Sequence, residues 1–173
     1  MNQAIRIRKI EKCDTENILR WRNCESVTRN FIYRKELTKE EHEKWLDTNI
    51  ASGRAVQFII EEVITGLPIG SVYLRDIDHT HKKAEFGIFI GEDSARGKGY
   101  GSLATRLILK YAFDEMGLNR VFLRVFSNNK SAIKCYLNAG FREEGLFRED
   151  VLIDGTFYDM MFMSILKNEW REG

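Results

Sequence analysis

Hydrophobic and polar positions change period several times along the chain, and each change marks an element. Residues 4–9 alternate apolar and charged, the period of a half-buried strand. Asp14 is placed to cap a first helix carrying Ile18, Leu19 and Trp21. Thr38-Lys39-Glu40-Glu41 has the capping-box form and predicts a second helix with Trp45 and Leu46 on one face. Val56–Glu62 and Ile69–Arg75 predict a hairpin around the turn Ile64-Thr65-Gly66-Leu67-Pro68. Lys83–Ile90 predicts a further strand, after a polar loop holding His79 and His81.

A glycine-rich turn then leads into a long amphipathic helix, about Gly99 to Met116, with Leu103, Leu107, Ile108, Tyr111 and Ala112 at helical spacing. Val121–Phe126 predicts an apolar strand, and 129–138 a short helix stopping near Gly140. Two closing strands, 141–150 and 157–166, flank Ile153-Asp154-Gly155. This order predicts an α/β (α+β) domain spanning residues 1–173, a single sheet with helices on both faces.

Composition adds limits. A chain of 173 residues, 43% hydrophobic and 31% charged, is that of a globular domain. A net charge of +1 gives no global pull toward nucleic acid or anionic membrane. The odd cysteines Cys13, Cys24 and Cys135 lack metal-like spacing and argue against a disulfide framework. The opening residues lack an apolar signal core, and no apolar run is long enough to span a bilayer. Cytoplasmic localisation is the expectation, with neither nucleic acid, membrane nor metal as partner. A homodimer is left open.

The densest chemical signal is the run from Glu92 to Gly101, EDSARGKGYG, between a strand and a helix. Its glycines permit positive φ, so several N–H groups can point into one concavity. The helix start adds unpaired N–H groups and the positive end of a dipole. Arg96 and Lys98 add charge, and the whole predicts a pyrophosphate cradle. It is neither a Walker A loop nor a GxGxxG turn.

Arg96-Gly97-Lys98-Gly99-Tyr100-Gly101 resembles the [Q/R]-x-x-G-x-[G/A] signature of the GNAT superfamily of N-acetyltransferases. The run from Val125 to Phe141, with Asn129, Ala132, Tyr136 and Gly140, resembles the family's second signature. The resemblance implies a mostly antiparallel mixed sheet with splayed central strands, often at a bulge. It also implies acetyl-CoA as co-substrate and direct transfer in a ternary complex. Backbone amides near Phe89, Ile90 and Gly91 would hold the pantetheine arm and polarise the acetyl carbonyl. Arg96, Gly97, Lys98, Gly99, Tyr100 and Gly101 would hold the pyrophosphate, and Asn129 would contact the pantetheine or steady its loop.

In that pattern Tyr136 is the acid that protonates the leaving thiolate. Glu85, in Ala84-Glu85-Phe86-Gly87-Ile88, is the candidate base for an amine that arrives as ammonium, with burial expected to tune it. Cys135 is expected to be a small core residue, and His42 a solvated or substrate-side one.

The acceptor side is expected from the first two helices. Trp21-Arg22-Asn23, Val27-Thr28-Arg29-Asn30-Phe31 and the stretch from Glu40 to Leu46 resemble a branch that acetylates nucleotide-linked amino sugars, as in the pseudaminic acid pathway. Arg22 and Arg29 would meet a diphosphate, Trp21 or Phe31 would stack on a base, and His79 and His81 would line the acceptor. The alternatives are a ribosomal-protein N-terminal acetyltransferase, a polyamine acetyltransferase, and a non-catalytic acyl-CoA sensor. The presence of both Glu85 and Tyr136 speaks against the sensor.

Overall fold

The computed structural model describes residues 4–171. In chain order its elements are β1 (Ile5–Lys9), α1 (Thr15–Arg22), α2 (Glu25–Thr28), α3 (Lys39–Trp45), β2 (Val56–Glu62), β3 (Pro68–Asp78) and β4 (Lys83–Ile90). Then come α4 (Tyr100–Lys110), β5 (Arg120–Phe126), α5 (Lys130–Asn138), β6 (Arg142–Ile153) and β7 (Thr156–Leu166). Seven strands form one sheet in the order β1-β2-β3-β4-β5-β7-β6. Every neighbouring pair is antiparallel except β4 and β5.

Strand alternation divides the core in two. Phe58 and Ile60 of β2, Val72 and Leu74 of β3 and Phe86 of β4 pack with Ile108 and Ala112 at the α4 end of the chain's main core. Ile59 and Phe89 face the other way, onto Ile18, Trp21 and Val27 of α1 and α2. Helices therefore cover both faces, as the pattern predicted.

Local chemistry explains the helix starts. The Thr38 hydroxyl accepts from Glu41 N while the Glu41 carboxylate accepts from Thr38 N, the capping box read from the sequence. Asp14 stands at the N-cap of α1 but caps nothing there. Its two oxygens instead take the Arg8 guanidinium at 2.7 Å each, and one also accepts from Glu11 N. The short helix α2 was not foreseen, because four residues carry no readable period. β3 runs on to Asp78, past an irregularity between Arg75 and Asp78. The long helix ends as a π-turn at Tyr111–Glu115.

Candidate active site

Parallel pairing between β4 and β5 covers only Lys83 with Arg120, Ala84 with Val121 and Glu85 with Phe122. Beyond Glu85, β4 stays with β3 as far as Ile90, and β5 stays with β7 as far as Phe126. The two strands diverge, and a cleft of about 450 Å³ opens between them. No bulge is needed, since the strands simply follow their outer neighbours.

Ladder geometry decides which amides face this cleft. Gly91 N donates to Ile69 O at 2.8 Å, so Gly91 is bonded to β3. Antiparallel alternation then turns Phe89 toward β3 as well, and turns the N–H groups of Ile88 and Ile90 into the cleft. Of the three amide positions expected, Ile90 turns its N–H to the cleft and Phe89 and Gly91 do not, while Ile88, which was not named, does. Gly91 has a different duty: a Cβ there would fall inside the Trp21 indole.

The glycine turn has the predicted form. Gly97 and Gly99 have φ of +75° and +80°, with nothing within 4 Å of the position a Cβ would take. Gly99 is the N-cap of α4, whose first N–H groups have no partner within the helix. The turn therefore leaves open space beside backbone that a side chain does not cover.

The charged residues of the turn depart from expectation. Arg96 donates to Ile90 O at 3.0 and 3.2 Å and to Ser26 Oγ at 3.1 Å, and pairs with Asp93 at 2.6 Å. It braces the end of β4 rather than standing free. Lys98 is exposed, with its ammonium over the Tyr100 ring, and Tyr100 donates to Glu62 at 2.8 Å. Asn129 caps α5 by accepting from Ala132 N at 3.1 Å, and reaches Asn30 at 3.3 Å. It steadies the loop.

Tyr136 lines the cleft, packed edge-on to Phe86 and tilted on Phe141. Burial pushes its phenol up, as does the neighbouring Cys135 thiol. Such a group is protonated at neutral pH, the state from which a general acid starts. Cys135 is half-buried at the cleft wall, with its Sγ 3.2 Å from Ser102 Oγ, and is not the core residue expected.

Glu85 is buried, 7% exposed, at the point where the strands part. Arg75 holds its Oε2 at 3.1 and 3.2 Å, and Arg124 holds Oε1 at 3.2 Å. Neither arginine was anticipated; Arg124, set among Val121, Phe122, Leu123, Val125 and Phe126, gave the clearer signal, whereas Arg75 is followed directly by Asp76. Both line the cleft. Tyr73 lies over Gly87, where a Cβ would enter its ring, and burial raises its phenol too.

A second cavity of about 360 Å³ shares Phe31, Tyr33, Tyr73, Arg75 and Phe89 with the cleft. Arg22 enters it from α1, its guanidinium 3.5 Å from the Phe31 ring centroid. Burial lowers Arg22 from its ordinary value, and its Nη1 is buried with no partner among the described residues. His42 bonds Thr15 through Nδ1 at 3.1 Å, while its Nε2 is likewise buried and unpartnered among the described residues. Trp45 stacks on it.

Four predicted acceptor residues are not there. Trp21 is 1% exposed, with Nε1 bonded to Glu92 at 2.8 Å, so its face is closed to any ligand. Arg29 is exposed at the end of α2 and lines neither cavity. His79 and His81 are exposed in the β3–β4 turn, at the end where β4 and β5 remain paired. The cleft opens at the opposite end of β4.

Comparison with known proteins agrees with this geometry. The acetyltransferase (GNAT) domain model matches residues 4–142. The spermidine N(1)-acetyltransferase of Vibrio cholerae is 28% identical over 170 residues, covering 98% of this chain and 97% of that protein. A candidate ribosomal N-acetyltransferase of Bacillus subtilis, YdaF, is 34% identical over 102 residues, covering 59% of this chain and 55% of that protein. The crystal structure of the Vibrio cholerae spermidine N-acetyltransferase with CoA and spermine superposes with a TM-score of 0.91 at 27% identity, covering 97% of this chain and 98% of that one.

Proposed function

The chain belongs to the GNAT acetyltransferase family and is an acetyl-CoA-dependent N-acetyltransferase, and from that premise we propose that its acceptor is a primary amine on a nucleotide-linked sugar. The observation that carries this reading is the second cavity, lined by Arg22, whose buried Nη1 has no partner among the described residues. A buried guanidinium N–H without an acceptor is costly, and a ligand oxygen is what would satisfy it. Phosphate suits the fork of arginine better than a neutral group does. Arg75 adds a second cation at the same wall, and Tyr33, 73% exposed, offers a ring to a base.

In this reading the acetyl group lies in the cleft with its carbonyl toward the Ile88 and Ile90 N–H groups. Those donors act by stabilising charge on the carbonyl oxygen as the amine attacks. The pyrophosphate rests on the Gly97–Ser102 backbone. Tyr136 gives its proton to the departing sulfur.

The second reading is a polyamine acceptor, favoured by the likeness to spermidine acetyltransferases over almost the whole chain. A polycation would meet Arg22 at the cavity wall, where like charges repel, while Arg75 is already paired with Glu85 and the Glu41 carboxylate lies on the same lining. Thiol release from acetyl-CoA, measured with a UDP-linked amino sugar, spermidine and a ribosomal N-terminal peptide, decides between them. The sugar nucleotide should have the highest kcat/KM. Turnover of spermidine or the peptide with none of the sugar nucleotide would overturn the proposal.

A further inference from the structure

An acceptor held in the second cavity must bring its amine past the wall that this cavity shares with the cleft. Among the polar side chains nearby, Glu85, Cys135 and Tyr136 line only the cleft, and Arg22, Glu41 and His42 only the second cavity. The shared wall is Phe31, Tyr33, Tyr73, Arg75 and Phe89. Phe31 and Phe89 pack edge-on and offer an amine only ring carbon. The Arg75 guanidinium is paired with Glu85 at 3.1 Å and with Asp76 at 3.8 Å. Tyr33 is largely exposed, whereas Tyr73 is half-buried and packs on the cluster of Ile18, Trp21, Val27, Ile59 and Phe89.

Tyr73 and Gly87 are direct partners in the antiparallel ladder of β3 and β4, so their side-chain positions share one face. A Cβ on Gly87 would stand 2.3 Å from Tyr73 Cζ and 2.4 Å from both its Cε2 and its Oη. The phenol therefore lies across the β4 backbone, in space that only glycine leaves open. Its oxygen is one residue away from Ile88, whose N–H is turned into the cleft. Arg22, Arg75 and Glu85 act on this phenol electrostatically, and the phenol acts on Tyr136. Its hydroxyl has no hydrogen-bond partner among the described residues, yet it is not sealed in as Arg22 Nη1 and His42 Nε2 are.

We propose that Tyr73 holds the acceptor amine for attack, its hydroxyl oxygen accepting one amine N–H beside the Ile88 amide, and that position 87 is glycine so that the phenol can lie there. This rests on the acetyl-transfer cleft assigned above, and it applies to a primary amine on any carrier. Attack needs the nitrogen about 3–3.5 Å from the acetyl carbon with its lone pair aligned, and a fixed acceptor for one N–H sets that direction. As the C–N bond forms, the nitrogen becomes positive and its N–H a stronger donor, so this hydrogen bond strengthens in the transition state.

Tyr73 ends the reaction with the proton it began with, in keeping with the burial that raises its phenol. The neutral amine forms the C–N bond, the C–S bond breaks, and Tyr136 protonates the sulfur. The proton lost from the new amide nitrogen passes to water, and water returns one to the Tyr136 phenolate. Two phenols thus divide the work, Tyr73 at the entering nitrogen and Tyr136 at the leaving sulfur.

The test compares Tyr73→Phe with the native chain, using whichever acceptor of the panel above is turned over. The ring and its packing remain, so the thermal melt and the calorimetric affinity for CoA should be unchanged. At saturating acceptor, kcat should fall by roughly tenfold to a hundredfold. Gly87→Ala displaces the phenol, and should lower kcat by a comparable factor in the native chain and by much less in the Tyr73→Phe background, because residues in contact are coupled. A native kcat in Tyr73→Phe would leave the ring a packing role and overturn the proposal. So would an effect confined to acceptor KM, which would put the hydroxyl on the body of the acceptor instead of its amine. Equal losses from Gly87→Ala in both backgrounds would mean that the Cβ disturbs the Ile88 amide, and would overturn the role given to Gly87. The acceptor panel by itself decides the substrate class, so the two conclusions fail separately.

Discussion

Trp21 occupies the space that a side chain at position 91 would need, so the first helix and the end of the splayed strand are locked together by the absence of one carbon. The indole is immobile there, because it is fully buried and its N–H is bonded to Glu92. Gly91→Ala should therefore cost about 1–3 kcal/mol of stability, the range for overpacking a filled site. A thermal melt checks this. An unchanged Tm would mean that α1 is free to move away.

The cradle prediction separates three glycines by their backbone. Gly97 and Gly99 have positive φ, whereas Gly101 does not and has only Cys135 Sγ nearby, 3.9 Å from a Cβ. Gly99→Val should weaken CoA binding at least tenfold, because a β-branched residue resists that conformation. Gly101→Ala should leave the fold intact. Calorimetric titration with CoA reads the first, and thermal melting reads the second.

Tyr136→Phe should keep the fold and CoA affinity and lower kcat by roughly 10²-fold or more, the size of lost general acid catalysis. The native phenol is pushed above its usual value by burial, so its active form, the protonated one, persists as pH rises. No alkaline limb attributable to it should appear in kcat below about pH 10. Stopped assays across pH, native against variant, test both statements.

Arg22 and Arg29 give a paired control on the acceptor. Arg22→Ala removes a guanidinium from the lining of the second cavity, and should raise the acceptor KM by an amount equivalent to about 1.5–3 kcal/mol. Arg29→Ala, at an exposed position outside both cavities, should leave it unchanged. Acetyl-CoA KM should not move in either variant.

Away from the site, Glu144 is held at about 2 by Arg120, against 4.5 for an unperturbed glutamate, with Ser164 adding a second bond. A depressed carboxylate stabilises the folded state above its unfolded value, and that contribution disappears as pH falls through its folded value. Stability should therefore decline between about pH 4.5 and 2, and Glu144→Gln should flatten that part of the curve. Urea unfolding at a series of pH values measures it.

The sequence by itself determined most of the elements and the form of the glycine turn. Alternation and helical spacing are local properties, so β2, β4, β5 and the capping box at Thr38 were legible. The glycine turn was legible for the same reason: positive φ and a helix start are dictated by adjacent residues. Tertiary structure decided everything that depends on which strand leaves which neighbour. Whether Ile88 or Phe89 presents its amide to the cleft follows from a pairing with β3 that no local pattern encodes. Arg75 and Arg124 meet on Glu85 across three strands, two of them joined only by a crossover through α4. Trp21 and Arg22 are adjacent in sequence, but helix rotation buries one in the core and turns the other to the cavity. An amphipathic helix announces its apolar face, but what stands opposite that face is fixed only when the sheet has closed against it.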